Sequence, residues 1–369
     1  MEEDLPFVLC AWMEGSKARK SKSPKVNTRE IIFLSSKDLF DEFKRSTKYK
    51  SCSKEVNCEV DTSTMTNAIH RHYHHGYWEP HSSSIEFCEI NYEHSNHIVE
   101  LHNTWSSIVG LSFFGILGLF LGNPTKELRF QVSYIILIII GIGSACLHGT
   151  LYWVFQSSDE LPMIYLILSW IYIRLEILTP PAKNGKRQQF KYPNLPLCLS
   201  IFSIIITVIY YKFLVKLYIA FNITFCSSVV TYISLIGRMF FCNDDKNLVE
   251  GRNEYDIITN NKTCQKLVRL ATISCLFVAA PIWLIDVLFC QWTLDTVASR
   301  LYGMTPHILW HFTAGYGAYA TIVYLESFRM QALYRPFEAK FLFGFIPIVV
   351  VAKDNDGNNN NKIDKQKRL

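Results

Sequence analysis

Long apolar runs dominate the chain after about residue 100, and they restrict the fold more than any other feature. Seven runs can be separated, each near the roughly 20 residues that a helix needs to cross a bilayer. Their approximate limits are 104–122, 131–150, 159–178, 195–211, 215–236, 268–290 and 305–326. The sequence therefore predicts an all-α fold: a polytopic membrane protein built as a bundle of seven transmembrane helices.

The segments that flank these runs are polar. Residues 1–75 are polar and of mixed charge, so we expect a mostly disordered extension. The first residues lack the apolar core and cleavage site of a secretory signal peptide. Residues 351–369 form an Asn-rich, charged tail that we also expect to be disordered. Residues 76–350 are then one seven-span domain. The net charge of +5 is modest and forms no basic stripe, which argues against nucleic acid as a partner.

The basic residues are distributed unevenly between the two sets of loops. The loops and flanks on one side carry fifteen Lys or Arg residues, whereas the opposite set carries three. By the positive-inside rule, the C-terminus is predicted to be cytosolic and the segment before the first span lumenal or extracellular. This orientation brings the end of span two, the start of span three, the end of span six and the start of span seven into one leaflet.

Two histidines lie four residues apart in the stretch "PHILWHFTAGYG", which opens the seventh span. His307 and His311 therefore share one helical face, at a spacing that suits a bound Zn²⁺. His148, at the end of span two, is predicted to lie in the same leaflet and to be the third ligand. Three His ligands with one open position are typical of a catalytic zinc site.

Other interpretations of these histidines remain open from the residues alone. Each ring can instead bond a backbone carbonyl or a hydroxyl group of a neighbouring helix. A haem is less consistent with the pattern, because two axial His ligands usually come from facing helices and not from one helical turn.

Two further polar residues are predicted to lie beside the histidines. Ser144 precedes His148 by four residues and shares its face, where it can bond the metal-bound water or an oxyanion; it can equally bond its own helix. Asp159 opens span three, where a carboxylate can accept the proton of that water. Asp is also a common N-cap, and the two roles are compatible.

An acidic segment precedes the first span. It holds Glu86, Glu89, Asn91, Glu93 and Glu100 within fifteen residues, and oxygen ligands at this density suit a hard cation such as Ca²⁺. The spacing is not that of an EF-hand, and as a pattern alone it favours a solvated acidic segment. Cys88, in the same segment, and Cys290, at the end of span six, are predicted to lie on the same non-cytosolic side, where a disulfide can persist.

Five stretches together resemble the alkaline ceramidases, a family of seven-span membrane amidases. They are "GYWEPHSSSIEFCEINY", "IVELHNTWS", "GSACLHGTLYWVFQSSDELPMIY", "HILWHFTAGYGAY" and "RPFEAKFLFGFIPIV", and they occur in the family's order. One departure is the pair Glu86-Phe87, where the family usually has Asp-Trp. The resemblance implies zinc-dependent hydrolysis of the amide bond of ceramide, which releases sphingosine and a fatty acid within the membrane.

The resemblance also assigns roles to individual residues. His148, His307 and His311 hold the zinc ion, Asp159 handles the proton and Ser144 lies beside the metal. A calcium site that modulates activity is formed by Glu86, the carbonyl of Phe87, Glu89, Asn91 and Glu100, and Cys88 pairs with Cys290.

We expect a monomer in the endoplasmic reticulum or Golgi membrane, with ceramide and membrane lipids as its partners. The alternative is a seven-span, zinc-containing receptor related to the progestin and adipoQ receptors, which lack the acidic segment.

Overall fold

A computed structural model describes residues 75–179, 190–211, 218–241, 262–333 and 335–351, all within one compact unit. Its elements are mostly helices: α1 Leu101–Leu121, α2 Leu128–Thr150, α3 Trp153–Leu175, α4 Leu195–Ile209, α5 Tyr218–Phe241, α6 Lys262–Leu288, the short α7 Cys290–Thr296 and α8 Pro306–Ala332. A hairpin of β1 Phe337–Leu342 and β2 Ile346–Val351 follows α8. The predicted N-terminal extension to residue 74, and the tail from residue 352, lie outside the described residues.

Seven of the described helices are long, and each overlaps one of the predicted spans. Three of them, α1, α2 and α6, combine sufficient length with an apolar composition that suits a membrane span. The helix α4 and the segment Phe221–Ile236 of α5 are apolar but shorter. The mostly helical fold is confirmed, with at least these three candidate membrane helices; the count of seven spans stays a prediction.

Helix α8 lies at the centre of the bundle and packs against α1, α2, α3 and α6. All of its residues from Gly317 to Met330 are buried. A helix that is enclosed on every side carries no exposed polar stripe, and its two buried charged residues have partners within the protein: Glu326 accepts from the Asn123 N–H, and Arg329 donates to Glu127. The histidine pair belongs to the first turns of this enclosed helix.

Helices α1 and α8 cross in backbone contact at a pair of glycines. A Cβ atom added at Gly315 would lie 1.9 Å from the carbonyl oxygen of Gly110, and one added at Gly110 would lie 2.7 Å from the backbone of His311. Helix α1 has a π-helical turn at Ile108–Ser112 at this crossing. Since π-bulges often occur at functional sites, the local widening of α1 fits its position beside the histidines.

The hairpin is the one described departure from the predicted all-α fold. Its strands pair antiparallel from Phe337 opposite Val351 to Leu342 opposite Ile346. Five of the six residues of Ile346–Val351 are Ile or Val, which favours a strand, and Gly344 takes a positive φ in the turn. The tyrosine hydroxyls of α8 hold it in place, because Tyr316 donates to the carbonyl of Phe345 and Tyr319 to that of Pro347, each at 2.7 Å.

Candidate metal centre

Three histidines converge between α2 and the first turns of α8. His148, His307 and His311 are at most 2% exposed, and each offers a ring nitrogen within 4.8 Å of the others. Among the residues that the structure describes, this is the one group of three or more His, Cys, Asp or Glu side chains brought together in this way. The structure therefore brings together the three predicted metal ligands.

The Nδ1 atom of each histidine faces a polar side chain outside the group. Nδ1 of His148 lies 2.5 Å from Oε2 of Glu100. Nδ1 of His311 lies 2.7 Å from Oγ of Ser106. Nδ1 of His307 faces Oδ2 of Asp286 at the longer distance of 3.6 Å. Partners of this kind fix the tautomer and the ring orientation of metal-ligating histidines.

With each Nδ1 facing an outer partner, the Nε2 atoms are left as the candidate ligand atoms for a metal ion. Nε2 of His148 is buried and has no hydrogen-bond partner among the described residues. Nε2 of His311 has only distant hydroxyl neighbours, Ser107 at 3.4 Å and Ser144 at 3.5 Å. Buried polar atoms are rarely left unsatisfied, so the unpaired Nε2 of His148 beside the two other rings fits a bound metal ion. The group can hold such an ion with nitrogen ligands only.

Ser144 and Asp159 lie against the same group. The hydroxyl of Ser107 donates to Oγ of Ser144 at 3.1 Å, and the carboxylate of Asp159 faces the Ser144 hydroxyl. Helices α2 and α3 are in close backbone contact here. A Cβ atom added at Gly143 would lie only 2.2 Å from the carbonyl oxygen of Ser158. The predicted proton acceptor is thus connected to the histidines through a short chain of hydroxyl groups.

The ring of Phe87 covers the group on the side of the segment that precedes α1. Its centroid lies 4.5 Å from that of His148 and 4.4 Å from that of His307. The side chain is half-buried. An apolar ring at this position limits the access of water to the two histidines from that side.

The acidic segment folds against the start of α1, and its carboxylates differ in their surroundings. Glu86 is exposed and Asn91 half-buried, while Glu89 and Glu100 are buried. Both carboxylate oxygens of Glu89 accept backbone N–H groups of α1, from His102 and Asn103, each at 2.7 Å. Glu89 therefore caps this helix, a role that the sequence did not predict.

The two buried carboxylates lie near each other. Burial raises the pKa of Glu89 to about 8, and the negative charge of Glu100 contributes to the shift. Burial likewise raises the pKa of Glu100 to about 8. A nearby cation would lower both values and keep the carboxylates charged.

A disulfide bond joins Cys88 to Cys290, the pair that the resemblance implies. The same segment is tied to α2 by backbone hydrogen bonds, from Val99 N–H to the Gly149 carbonyl and from Glu100 N–H to the His148 carbonyl. The segment is therefore fixed both to α2 and to the end of α6, close to the histidines.

Three polar residues of the centre were missed as partners of the histidines. Ser106 and Ser107 lie in the first apolar run, where adjacent hydroxyls are an unusual signal. Asp286 is a conspicuous carboxylate inside the sixth run, but the sequence gives no indication of which side chain it faces. All three are at most 1% exposed.

The fold and this centre define a class of protein: a helical protein with at least three helices long and apolar enough to cross a membrane, and with a buried group of three histidines that can hold a metal ion. Comparison with known families then gives the narrower assignment. The ceramidase family model matches residues 79–350, which is most of the chain, and the protein belongs to this family.

Curated relatives agree with the family assignment. An alkaline ceramidase of Arabidopsis thaliana is 27% identical over 281 residues, which cover 75% of this chain and 96% of the relative. Alkaline ceramidase 3 of Mus musculus is 29% identical over 284 residues, covering 74% and 94%. Alkaline ceramidase YPC1 of Saccharomyces cerevisiae is 26% identical over 276 residues, covering 70% and 80%.

Proposed function

We propose that this protein hydrolyses the amide bond of ceramide and releases sphingosine and a free fatty acid within the membrane. The observation that carries the proposal is the buried group of His148, His307 and His311, in which every Nδ1 faces an outer polar partner. The alkaline ceramidases among the curated relatives supply the substrate class.

We propose zinc as the metal of this group. Three imidazole ligands are typical of a zinc site. Neutral imidazole is a better ligand for zinc than for a hard cation such as Ca²⁺ or Mg²⁺, which prefers oxygen ligands. When bound, zinc supplies a Lewis acid for the amide carbonyl and lowers the pKa of a coordinated water.

The side chains around the three histidines have separate roles in the hydrolysis. The carboxylate of Asp159 accepts the proton of the attacking water and later returns it to the leaving nitrogen of the amide. The hydroxyl of Ser144 donates a hydrogen bond to the carbonyl oxygen as that oxygen becomes negatively charged. The Phe87 ring, packed on two of the histidines, keeps bulk water from the reacting amide.

We propose that Glu86, the Phe87 carbonyl, Glu89, Asn91 and Glu100 bind Ca²⁺ and thereby modulate activity. The support is the burial of two neighbouring carboxylates, Glu89 and Glu100, whose charged forms are disfavoured unless a positive charge lies close by. Glu89 can cap α1 and bind a cation at the same time, because each carboxylate oxygen has two lone pairs.

The decisive experiment couples metal analysis to turnover. Purified protein should contain one zinc per chain and should release fatty acid from ceramide, and His311→Ala should lose both. His94→Ala is the control, because His94 is a surface histidine that bonds the Tyr302 carbonyl. Asp159→Asn should keep the zinc and lose turnover. Ceramide binding without turnover in the wild type would instead favour the receptor alternative.

The calcium proposal has its own test. A Ca²⁺-selective chelator should lower the melting temperature and the activity of the wild type, and Glu86→Gln should reduce the response to added Ca²⁺. Glu93→Gln is a matched control, because Glu93 is an exposed carboxylate of the same segment outside the proposed ligand set. An equal response to Ca²⁺ in the wild type and in Glu86→Gln would contradict the assignment of Glu86.

We also propose seven spans, a cytosolic C-terminus and a lumenal segment before α1, in a monomer of the endoplasmic reticulum or Golgi. The charge bias of the loops and the Cys88–Cys290 disulfide support this orientation. The orientation can be tested in intact microsomes, by protease treatment of proteins that carry a tag at residue 75 or at the C-terminus. Protection of the C-terminal tag would contradict the orientation.

A further inference from the structure

A buried carboxylate on α6 has no part in the reaction just described. Asp286 is 1% exposed and lies two residues before the end of the helix. Its Oδ2 atom is 3.6 Å from Nδ1 of His307. It belongs neither to the three-histidine group nor to the proposed calcium ligands, so its burial has no explanation in the proposed function.

The polar groups around Asp286 come from three parts of the chain. The hydroxyl of Thr305 and the N–H groups of Cys88 and His307 face the carboxylate, yet neither of its oxygens forms a hydrogen bond of regular geometry among the described residues. Nδ1 of His307 is likewise buried without such a bond. The two unsatisfied groups therefore face each other.

The position of Asp286 is fixed from both sides. Cys88 is joined by the disulfide to Cys290, four residues beyond Asp286, and Thr305 directly precedes the first turn of α8. The carboxylate is thereby held between the end of α6 and the start of the helix that carries His307. Hydrogen bonds of this type span about 2.7–3.2 Å, so the 3.6 Å separation exceeds bonding distance by only a few tenths of an ångström.

We propose that Asp286 is a positioning residue for His307: it accepts a hydrogen bond from Nδ1–H and so directs Nε2 of that ring toward the metal. The inference rests on the proposed metal site. It gives His307 the same kind of outer partner that Glu100 provides for His148 and Ser106 for His311. Partners of this kind orient the ring and increase the basicity of the ligating nitrogen.

This role predicts that the loss of the Asp286 charge lowers the stability of the zinc-loaded protein but not that of the metal-free protein. A buried carboxylate without a good hydrogen bond destabilises a folded protein, so its replacement by a neutral amide should not destabilise the metal-free form. When a cation is bound, the imidazole is polarised and the carboxylate interacts favourably with it. A purely structural Asp286 would contribute equally to both forms.

The test compares Asp286→Asn with the wild type in two measurements. Zinc affinity, measured by competition with a chromophoric chelator, should fall by about 10- to 100-fold. The melting temperature of the metal-free variant should equal or exceed that of the metal-free wild type, whereas the zinc-loaded variant should melt below the zinc-loaded wild type. Wild-type zinc affinity, or equal destabilisation of the two forms, would overturn the inference.

Asp286→Glu gives a second, charge-conserving comparison in case the amide variant does not fold. It keeps the carboxylate but moves it by one methylene, so its zinc affinity should lie between those of the wild type and Asp286→Asn. If only the glutamate variant folds, its zinc affinity should lie below that of the wild type. Unchanged affinity in Asp286→Glu alone would overturn the inference in that case. A wild type that binds no zinc would instead refute the metal site itself, and the two failures are thus distinguishable.

Discussion

Oε2 of Glu100 lies 2.5 Å from Nδ1 of His148, and the backbone N–H of Glu100 donates to the carbonyl of the same histidine at 3.0 Å. One residue of the acidic segment is therefore bound to a metal-ligand candidate through both its side chain and its backbone. The second oxygen of Glu100, Oε1, is buried and has no hydrogen-bond partner among the described residues. The acidic segment and the histidine group meet at this residue.

Glu100→Gln should weaken metal binding while the fold is retained. Glutamine can still accept the Nδ1–H bond, but it lacks the negative charge that makes the imidazole a better ligand, so zinc affinity should fall by about 10- to 100-fold. Chelator competition at saturating Ca²⁺ measures this effect separately from any loss of calcium binding. Glu93→Gln serves as the control, and equal zinc affinities of the two variants would contradict the role of Glu100.

Phe87→Ala should expose the histidine group to water-soluble reagents. The phenyl ring packs on His148 and His307, and its removal opens a path from the side of the acidic segment. A hydrophilic chelator should therefore extract zinc several times faster from Phe87→Ala than from the wild type, in a stopped-flow measurement.

Phe87→Trp is the matched control for this change, because it keeps an aromatic ring and the backbone carbonyl in place. It should resist the chelator as the wild type does. If Phe87→Ala and Phe87→Trp lose zinc at the same rate, the ring does not control access.

Much of this architecture can be predicted from the sequence, because helix length and apolar composition are local properties. Each long described helix overlaps a predicted span, and the alternating direction of the spans correctly groups His148 with His307 and His311. The hairpin after α8 was missed, since its run of Phe, Ile and Val residues is too short to distinguish a strand from the end of a span.

The outer partners of the histidines could not be predicted, for a physical reason. Whether Ser106 faces His311, or Asp286 faces His307, depends on the rotation of each helix about its own axis. That rotation is set by close contacts between helices, such as the crossing of Gly110 with Gly315. A pattern of spans gives the order and depth of the residues, but it does not give these angles.

Gly315→Ala should destabilise the bundle at this crossing. The new methyl group would lie 1.9 Å from the Gly110 carbonyl oxygen, so α1 and α8 must move apart. Overpacking of this kind costs about 1–3 kcal/mol or more, and it should also shift Ser106 away from His311. Thermal unfolding and zinc content of the purified variant measure the two effects.

Gly149→Ala is the matched control for that substitution. It adds the same methyl group to a helix, but the nearest atom there is 3.8 Å away, on Thr104. Because alanine favours the helix over glycine, this variant should be as stable as the wild type or slightly more stable. A lower melting temperature for Gly149→Ala than for Gly315→Ala would contradict the close-crossing argument.

Tyr319→Phe should loosen the hairpin on α8. The Tyr319 hydroxyl is the donor to the carbonyl of Pro347, and the side chain is fully buried, so the change leaves a buried carbonyl unsatisfied. Such a loss costs about 1–3 kcal/mol. Tyr316→Phe removes an equally short bond, to Phe345, at a more exposed position where water can replace the hydroxyl, and it should cost less. Thermal unfolding of the two variants measures the difference, and a larger loss in Tyr316→Phe would show that burial does not determine how strongly these tyrosines hold the hairpin.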